Sequence, residues 1–129
     1  MKKITGCFSV VAVLLGTLFV GSAMAESTTQ DGVYIKDQAA QGQKLYKKHC
    51  IACHNKDDYG DKFLAWEGQP LGDLYETVSA TMPEDNVGGL SLDEYTNIMA
   101  YVLYMLKFPA GDTPLNHQDG SMSAIIIQN

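Results

Sequence analysis

The sequence predicts a small all-α domain of three main helices, and three observations carry that reading. Apolar residues recur at helical spacing in three separate stretches. No alternating strand pattern of useful length appears between them. The chain has 129 residues, enough for one domain and not two. Three helices in about 100 residues bury little apolar surface, and a domain of that size needs a staple, a metal or a bound group.

Residues 1–25 read as a cleaved secretory signal. Lys2 and Lys3 give a positive start, and Val10–Val20 is an apolar run about half the length a membrane span needs. Ala23-Met24-Ala25 is a small-x-small cleavage site ahead of Glu26. Cys7, in "ITGC", lies before the apolar run, so it leaves with the signal and is not a lipidation site. Cleavage leaves 104 residues with seven lysines against fifteen acids, a net charge of −8; the whole chain stands at −6 and contains no arginine. That balance disfavours nucleic acid and anionic lipid, and no stable membrane insertion is expected after cleavage.

Residues 26–36 are polar and read as a flexible leader. Helical periodicity runs from Asp37 to about His54, carried by Ala39, Ala40, Leu45, Tyr46 and Ile51. Residues 55–70 are charged and glycine-punctuated, a loop with at most one short turn. In 71–81, Leu71, Leu74, Tyr75 and Val78 fall three and four apart and predict a short amphipathic helix. Met82-Pro83 ends it, because a residue before proline is pushed out of helical geometry. Ser91 and Glu94 form a capping box that starts the most apolar helix, which runs to Pro109. The tail is polar until Ala124–Asn129 ("AIIIQN"), a short extended segment packed on the domain. The expected organisation is a signal (1–25), a leader (26–36), a domain (37–108) and a C-terminal extension (109–129).

The stretch "HCIACH", 49–54, holds two of the three cysteines in the chain. Four chemistries use such a pair. A disulfide oxidoreductase places it after a strand at a helix start, whereas here it closes a helix. A tetrahedral zinc site needs four ligands; Cys50, Cys53, His54 and His49 or His117 supply the atoms, but adjacent Cys and His side chains diverge. A structural disulfide with a two-residue loop constrains little of the unfolded chain. The fourth is covalent haem attachment, for which Cys-x-x-Cys-His is the signature. The spacing lets two sulfurs add to two vinyl groups on one porphyrin edge and turns the next imidazole under the iron. An export signal and the absence of other mature cysteines strengthen this reading.

These residues resemble the small monohaem c-type cytochromes with a His/Met-ligated iron, over about residues 38–108. The resemblance implies the cytochrome c fold, wrapped around one covalent haem c bound through Cys50, Cys53 and His54. In "GQKLYKKHCIACH", it implies that Gly42 lets the first helix approach the last and that Tyr46 fills the crossing and borders the haem, against Tyr101 and Leu103 or Tyr104. "ATMPEDNVGGLSLDEYTNIMAYVL" looks like the family's methionine loop and terminal helix, with Met82 as second axial ligand. The runs "WEGQPL", "DLYETV" and "TMP" look like cytochrome domains found beside periplasmic quinoprotein dehydrogenases. The resemblance also implies a proline carbonyl accepting the second N–H of the ligating histidine, and Pro70 is the candidate; an ordinary helix-start proline is the alternative. Trp66 and Tyr59 are candidates to line the haem or bond a propionate, with plain core packing as the alternative.

Met82 also stands out on residue grounds. Met99 and Met105 lie inside a continuous helix, where core packing is the simpler role, and Met122 lies in the tail. Met82 alone sits at a helix end against a proline. Met122, His117 and an open sixth position are the remaining possibilities, and His49 reads as a solvated neighbour. Two axial ligands leave the iron no site for substrate and raise its potential over bis-nitrogen ligation. The expected function is therefore a periplasmic one-electron Fe(II)/Fe(III) shuttle and not an enzyme. Its partners would be redox proteins, a quinoprotein dehydrogenase as donor and a terminal oxidase as acceptor. A haem enzyme or gas sensor with a labile sixth site, and a tightly held dehydrogenase subunit, are the alternatives.

Overall fold

The computed structural model describes residues 26–55, 57 and 59–129. The signal reading of 1–25, with Cys7, lies outside the described residues, as do Lys56 and Asp58. Four helices carry the architecture: α1 (Lys36–His49), α2 (Tyr59–Leu64), α3 (Leu71–Thr81) and α4 (Leu92–Met105). Two two-residue strands, β1 (Ser27–Thr28) and β2 (Ile125–Ile126), pair in parallel.

α1 and α4 form the main crossing. A Cβ on Gly42 would run into the carbonyl of Asn97 and press on Tyr101 Cβ, so only glycine permits this approach. One turn later the buried Tyr46 ring meets Tyr101 at 5.3 Å between centroids. Tyr104 is not part of the crossing; it is exposed on the outer face and stacks on Tyr101. α4 begins at the expected cap: Glu94 N–H donates to Ser91 Oγ at 3.3 Å, and the Glu94 carboxylate accepts from Ser91 N–H at 2.8 Å. From there it buries Tyr95, Thr96, Ile98, Met99, Ala100, Val102 and Leu103 along one broad face.

Two sequence expectations change. The stretch 55–70 contains α2, six residues long. Gly60 and Asp61 are poor helix formers, but Phe63 is buried against Phe108 at 5.4 Å, and that packing holds the turn together. The leader is not flexible. Ser27 pairs with Ile125 and Thr28 with Ile126. Thr29 is fully buried; its hydroxyl donates to the Gln128 carbonyl at 2.9 Å and accepts from Gln128 N–H at 3.0 Å. Tyr34 is buried and donates to the Phe108 carbonyl at 2.8 Å. Polar composition made 26–36 read as loose, whereas the Thr29 and Tyr34 hydroxyls are satisfied by backbone partners far along the chain, at Gln128 and Phe108.

The tail folds back over α3. Leu115, Met122, Ile125 and Ile127 are buried. Ile127 exchanges backbone hydrogen bonds with 68–69: Gly68 N–H donates to its carbonyl at 2.8 Å, and its N–H donates to Gln69 O at 2.9 Å. Both chain extensions thereby brace the segment between α2 and α3. None of the helices among the described residues is long and apolar enough to cross a membrane.

Candidate functional site

Between the helices lies an almost wholly apolar cavity of about 370 Å³, within the size range of cofactor pockets. Each wall follows from helical spacing. Leu74, Val78 and Met82 fall four residues apart down one side of α3 and its end. Ile98, Met99 and Val102 come from α4, and Tyr59, Phe63 and Trp66 from α2 and the turn after it. Cys50 and His54 close the remaining side. Exposed Lys62, Thr77 and Thr81 are the polar residues among those bordering it.

The motif is held as a turn on the end of α1. Cys50 N–H donates to Tyr46 O at 2.9 Å, and His54 N–H donates to Cys50 O at 2.9 Å. Tyr46 reaches forward eight residues, its hydroxyl donating to the His54 carbonyl at 2.7 Å. Tyr59 hydrogen-bonds Tyr46, and burial, with that bond behind it, pushes the Tyr59 phenol far above its ordinary range. The His54 ring packs edge-on against Tyr59 at 5.5 Å. Its Nδ1 is buried without a hydrogen-bond partner, an arrangement that is costly for a histidine placed only for packing. Cys50 is half-buried, and burial pushes its thiol up, which keeps it protonated. Cys53 is exposed, and the two cysteines are not bonded to each other.

Met82, which also lines the cavity, terminates α3. Its N–H still reaches Val78 O at 2.9 Å, while its own backbone has turned extended. The Tyr95 hydroxyl donates to the Met82 carbonyl at 2.6 Å. A thiol, an imidazole and a thioether thus line one apolar space; the imidazole and thioether are donors suited to iron in a porphyrin, unlike the charged oxygen cage of a hard cation. Among the described residues no three His, Cys, Asp or Glu side chains gather into a metal cage, so the four-ligand zinc alternative has no assembled site there.

A family model described as cytochrome C oxidase, cbb3-type, subunit III matches residues 37–102, just over half of the chain. The chain belongs to this cytochrome c family. Comparisons with curated proteins and with solved structures gave no match. As a small c-type cytochrome the protein has the all-α fold of its class, and the family implies haem c with iron and electron transfer through it. The residues present fit that group. The cavity is apolar, Cys50, His54 and Met82 all border it, and an orphaned imidazole nitrogen marks His54 as more than a core side chain.

The cytochrome departs from the sequence expectations at three positions. Cys53 is exposed and does not border the cavity. Pro70 does not serve His54. Its carbonyl accepts from Asp73 N–H at 3.1 Å as the cap of α3, and the residue bridges Ile126. Pro70 stands at the start of α3, in a segment tied to Ile126 and Ile127 of the tail. Tyr46 does not border the cavity. It lies behind it, filling the α1–α4 crossing and gripping the His54 backbone. The other possible sixth ligands lie elsewhere. His117 stacks on Tyr75 at 6.2 Å, with Nδ1 3.2 Å from Thr96 Oγ1 and 3.5 Å from Asp93, and Met122 is buried away from the cavity.

Sequence reasoning missed Phe63, Leu74, Val78, Ile98 and Val102 as cavity walls and gave Met99 to the core. Their periodicity was visible, but an apolar stripe looks the same whether it faces another helix or a bound ring. Tyr59 and Trp66 do border the cavity.

Proposed function

We propose that this cytochrome is an exported, periplasmic one-electron carrier. In this reading one haem c is bonded to Cys50 and Cys53, with His54 and Met82 as axial ligands. The observation that carries it is the placement of His54 and Met82 on two walls of one apolar cavity, with Cys50 beside the histidine. Bound there, the haem supplies a one-electron Fe(II)/Fe(III) couple.

The chain's own part is to hold the ligands and exclude water. Tyr46 and the α1 turn fix the backbone of His54. Leu74, Val78, Ile98 and Val102 keep the interior dry, which favours small reorganisation when charge changes. With both axial positions filled by protein there is no place for substrate, so the role is transfer and not catalysis. Electrons pass to and from redox proteins by weak, transient docking, with charge setting the encounter rate. A quinoprotein dehydrogenase as donor and a terminal oxidase as acceptor are the partners we propose.

The test is expression with haem-maturation machinery, followed by intact mass and a visible spectrum. The expected result is a chain shortened by 25 residues carrying the mass of one haem, with a long-wavelength methionine-to-ferric-iron charge-transfer band. A mature chain with no added mass ends the proposal. Rapid carbon monoxide binding by the reduced protein replaces it with a haem enzyme or sensor, and stable co-purification with a dehydrogenase makes it a fixed subunit.

A further inference from the structure

Several buried tyrosines in this protein donate their hydroxyl to a backbone carbonyl. Tyr34 reaches Phe108, Tyr46 reaches His54, Tyr75 reaches Leu92 and Tyr95 reaches Met82. Two of these carbonyls belong to the two residues assigned as axial ligands. We propose that Tyr95 is a positioning residue for the sixth ligand: its hydroxyl pins the Met82 backbone and thereby sets how the thioether presents itself to the iron. This rests on the assignment of Met82 made above.

The argument starts from how little else holds Met82. Its N–H is the last tie to α3. Past Pro83, residues 84–89 are all exposed, and the chain is not buried again until Leu90. The loop's own hydrogen bonds, Asn86 N–H to Pro83 O and Gly89 N–H to Asn86 O, are internal to it and anchor nothing to the core. The Met82 carbonyl is therefore the point at which the ligand residue is tied to α4. Tyr95 suits that task because its ring is only 3% exposed and sits in the first turn of a capped helix. The 2.6 Å contact is at the short end for a hydroxyl donor. Residue 82 is thus held from both sides, by its N–H to α3 and by its C=O to α4. A thioether is a weak ligand to iron, so its occupancy depends on how little freedom its backbone has.

Tyr75 provides the matched control. It is buried, it links α3 to the same helix α4, and it donates to the Leu92 carbonyl at 2.9 Å. Neither Tyr75 nor Leu92 borders the cavity. A purely structural role for Tyr95 would make its loss resemble the loss of Tyr75.

The experiment uses ferric holoprotein titrated with imidazole, which competes for the methionine position, while the charge-transfer band is followed. Tyr95→Phe removes one oxygen and keeps the ring. The expected result is imidazole binding about 5- to 10-fold tighter than in the wild type, the factor that loss of one hydrogen bond sets, with a weakened band before imidazole is added. Tyr75→Phe is expected to bind imidazole as the wild type does. Equal affinity in Tyr95→Phe and the wild type, or equal changes in the two tyrosine variants, overturns the role of Tyr95. Met82→Ala separates the two levels. If the band survives in Met82→Ala, the ligand assignment is wrong and this proposal falls with it. If the band is lost there while Tyr95→Phe behaves as the wild type, only the role of Tyr95 falls.

Discussion

The two sides of the cavity are built on different principles. On the His54 side each backbone restraint is local. The turn hangs on the last residues of α1, and its farthest partner, Tyr46, is eight residues away. On the Met82 side the deciding contact crosses between helices, from Tyr95 thirteen residues on, with an exposed loop between. The difference teaches that His54 is secured by contiguous sequence and Met82 by tertiary packing. Disturbance should reach the methionine side first.

The largest expected contrast is between His54→Ala and Met82→Ala. The first removes a member of the attachment turn itself, and holoprotein recovered by intact mass should fall at least about tenfold. The second should leave a folded, haem-bearing protein that has lost the charge-transfer band and takes up carbon monoxide when reduced. Equal losses of holoprotein would break the comparison.

Next in size is Gly42→Val. The obstacle is the Asn97 backbone carbonyl, which has no rotamer to change. Denaturant unfolding should show a loss of about 3 kcal/mol or more. Tyr46→Phe should be milder, about 1 kcal/mol, and should leave imidazole affinity unchanged because the turn still holds His54. A rise in affinity there would show that the local side is not self-sufficient.

The smallest effect is electrostatic and joins the two sides. The Glu94 carboxylate caps the helix that carries Tyr95, and its hydrogen bonds from Ser91, then His49 and Lys48 nearby, hold it below its ordinary value of 4.5. A depressed folded value means the contribution is complete above about pH 4.5 and is lost as pH falls through that lower value. Glu94→Gln should therefore be less stable than the wild type at pH 7, with the gap closing toward pH 3 in denaturant titrations. A gap that stays constant with pH would remove the ionised cap from the account.

How much was legible follows the same division. The Cys50–His54 stretch was legible as one motif, and the structure brings Cys50 and His54, but not Cys53, to the cavity. The end of α3 at Met82 was legible from the proline after it, and the start of α4 from Ser91 and Glu94. The role of Tyr95 was not, since nothing in a sequence says which carbonyl a tyrosine thirteen residues away will reach. Pro70 misled because a helix-start proline and a histidine acceptor look identical until the tail's claim on 68–70 is known. The leader misled for the same reason: a two-residue strand carries no periodicity, and its partner lies at the far end of the chain.

That seam between residues 27–29 and 125–128 has a consequence in time. It joins two segments about a hundred residues apart, so it can close only after residue 128 has been added. Cys50 and Cys53 lie between the two halves of the seam in sequence, so both are made before its second half. Once closed, it holds β2 beside residues 68–69 and so braces the segment that follows Trp66.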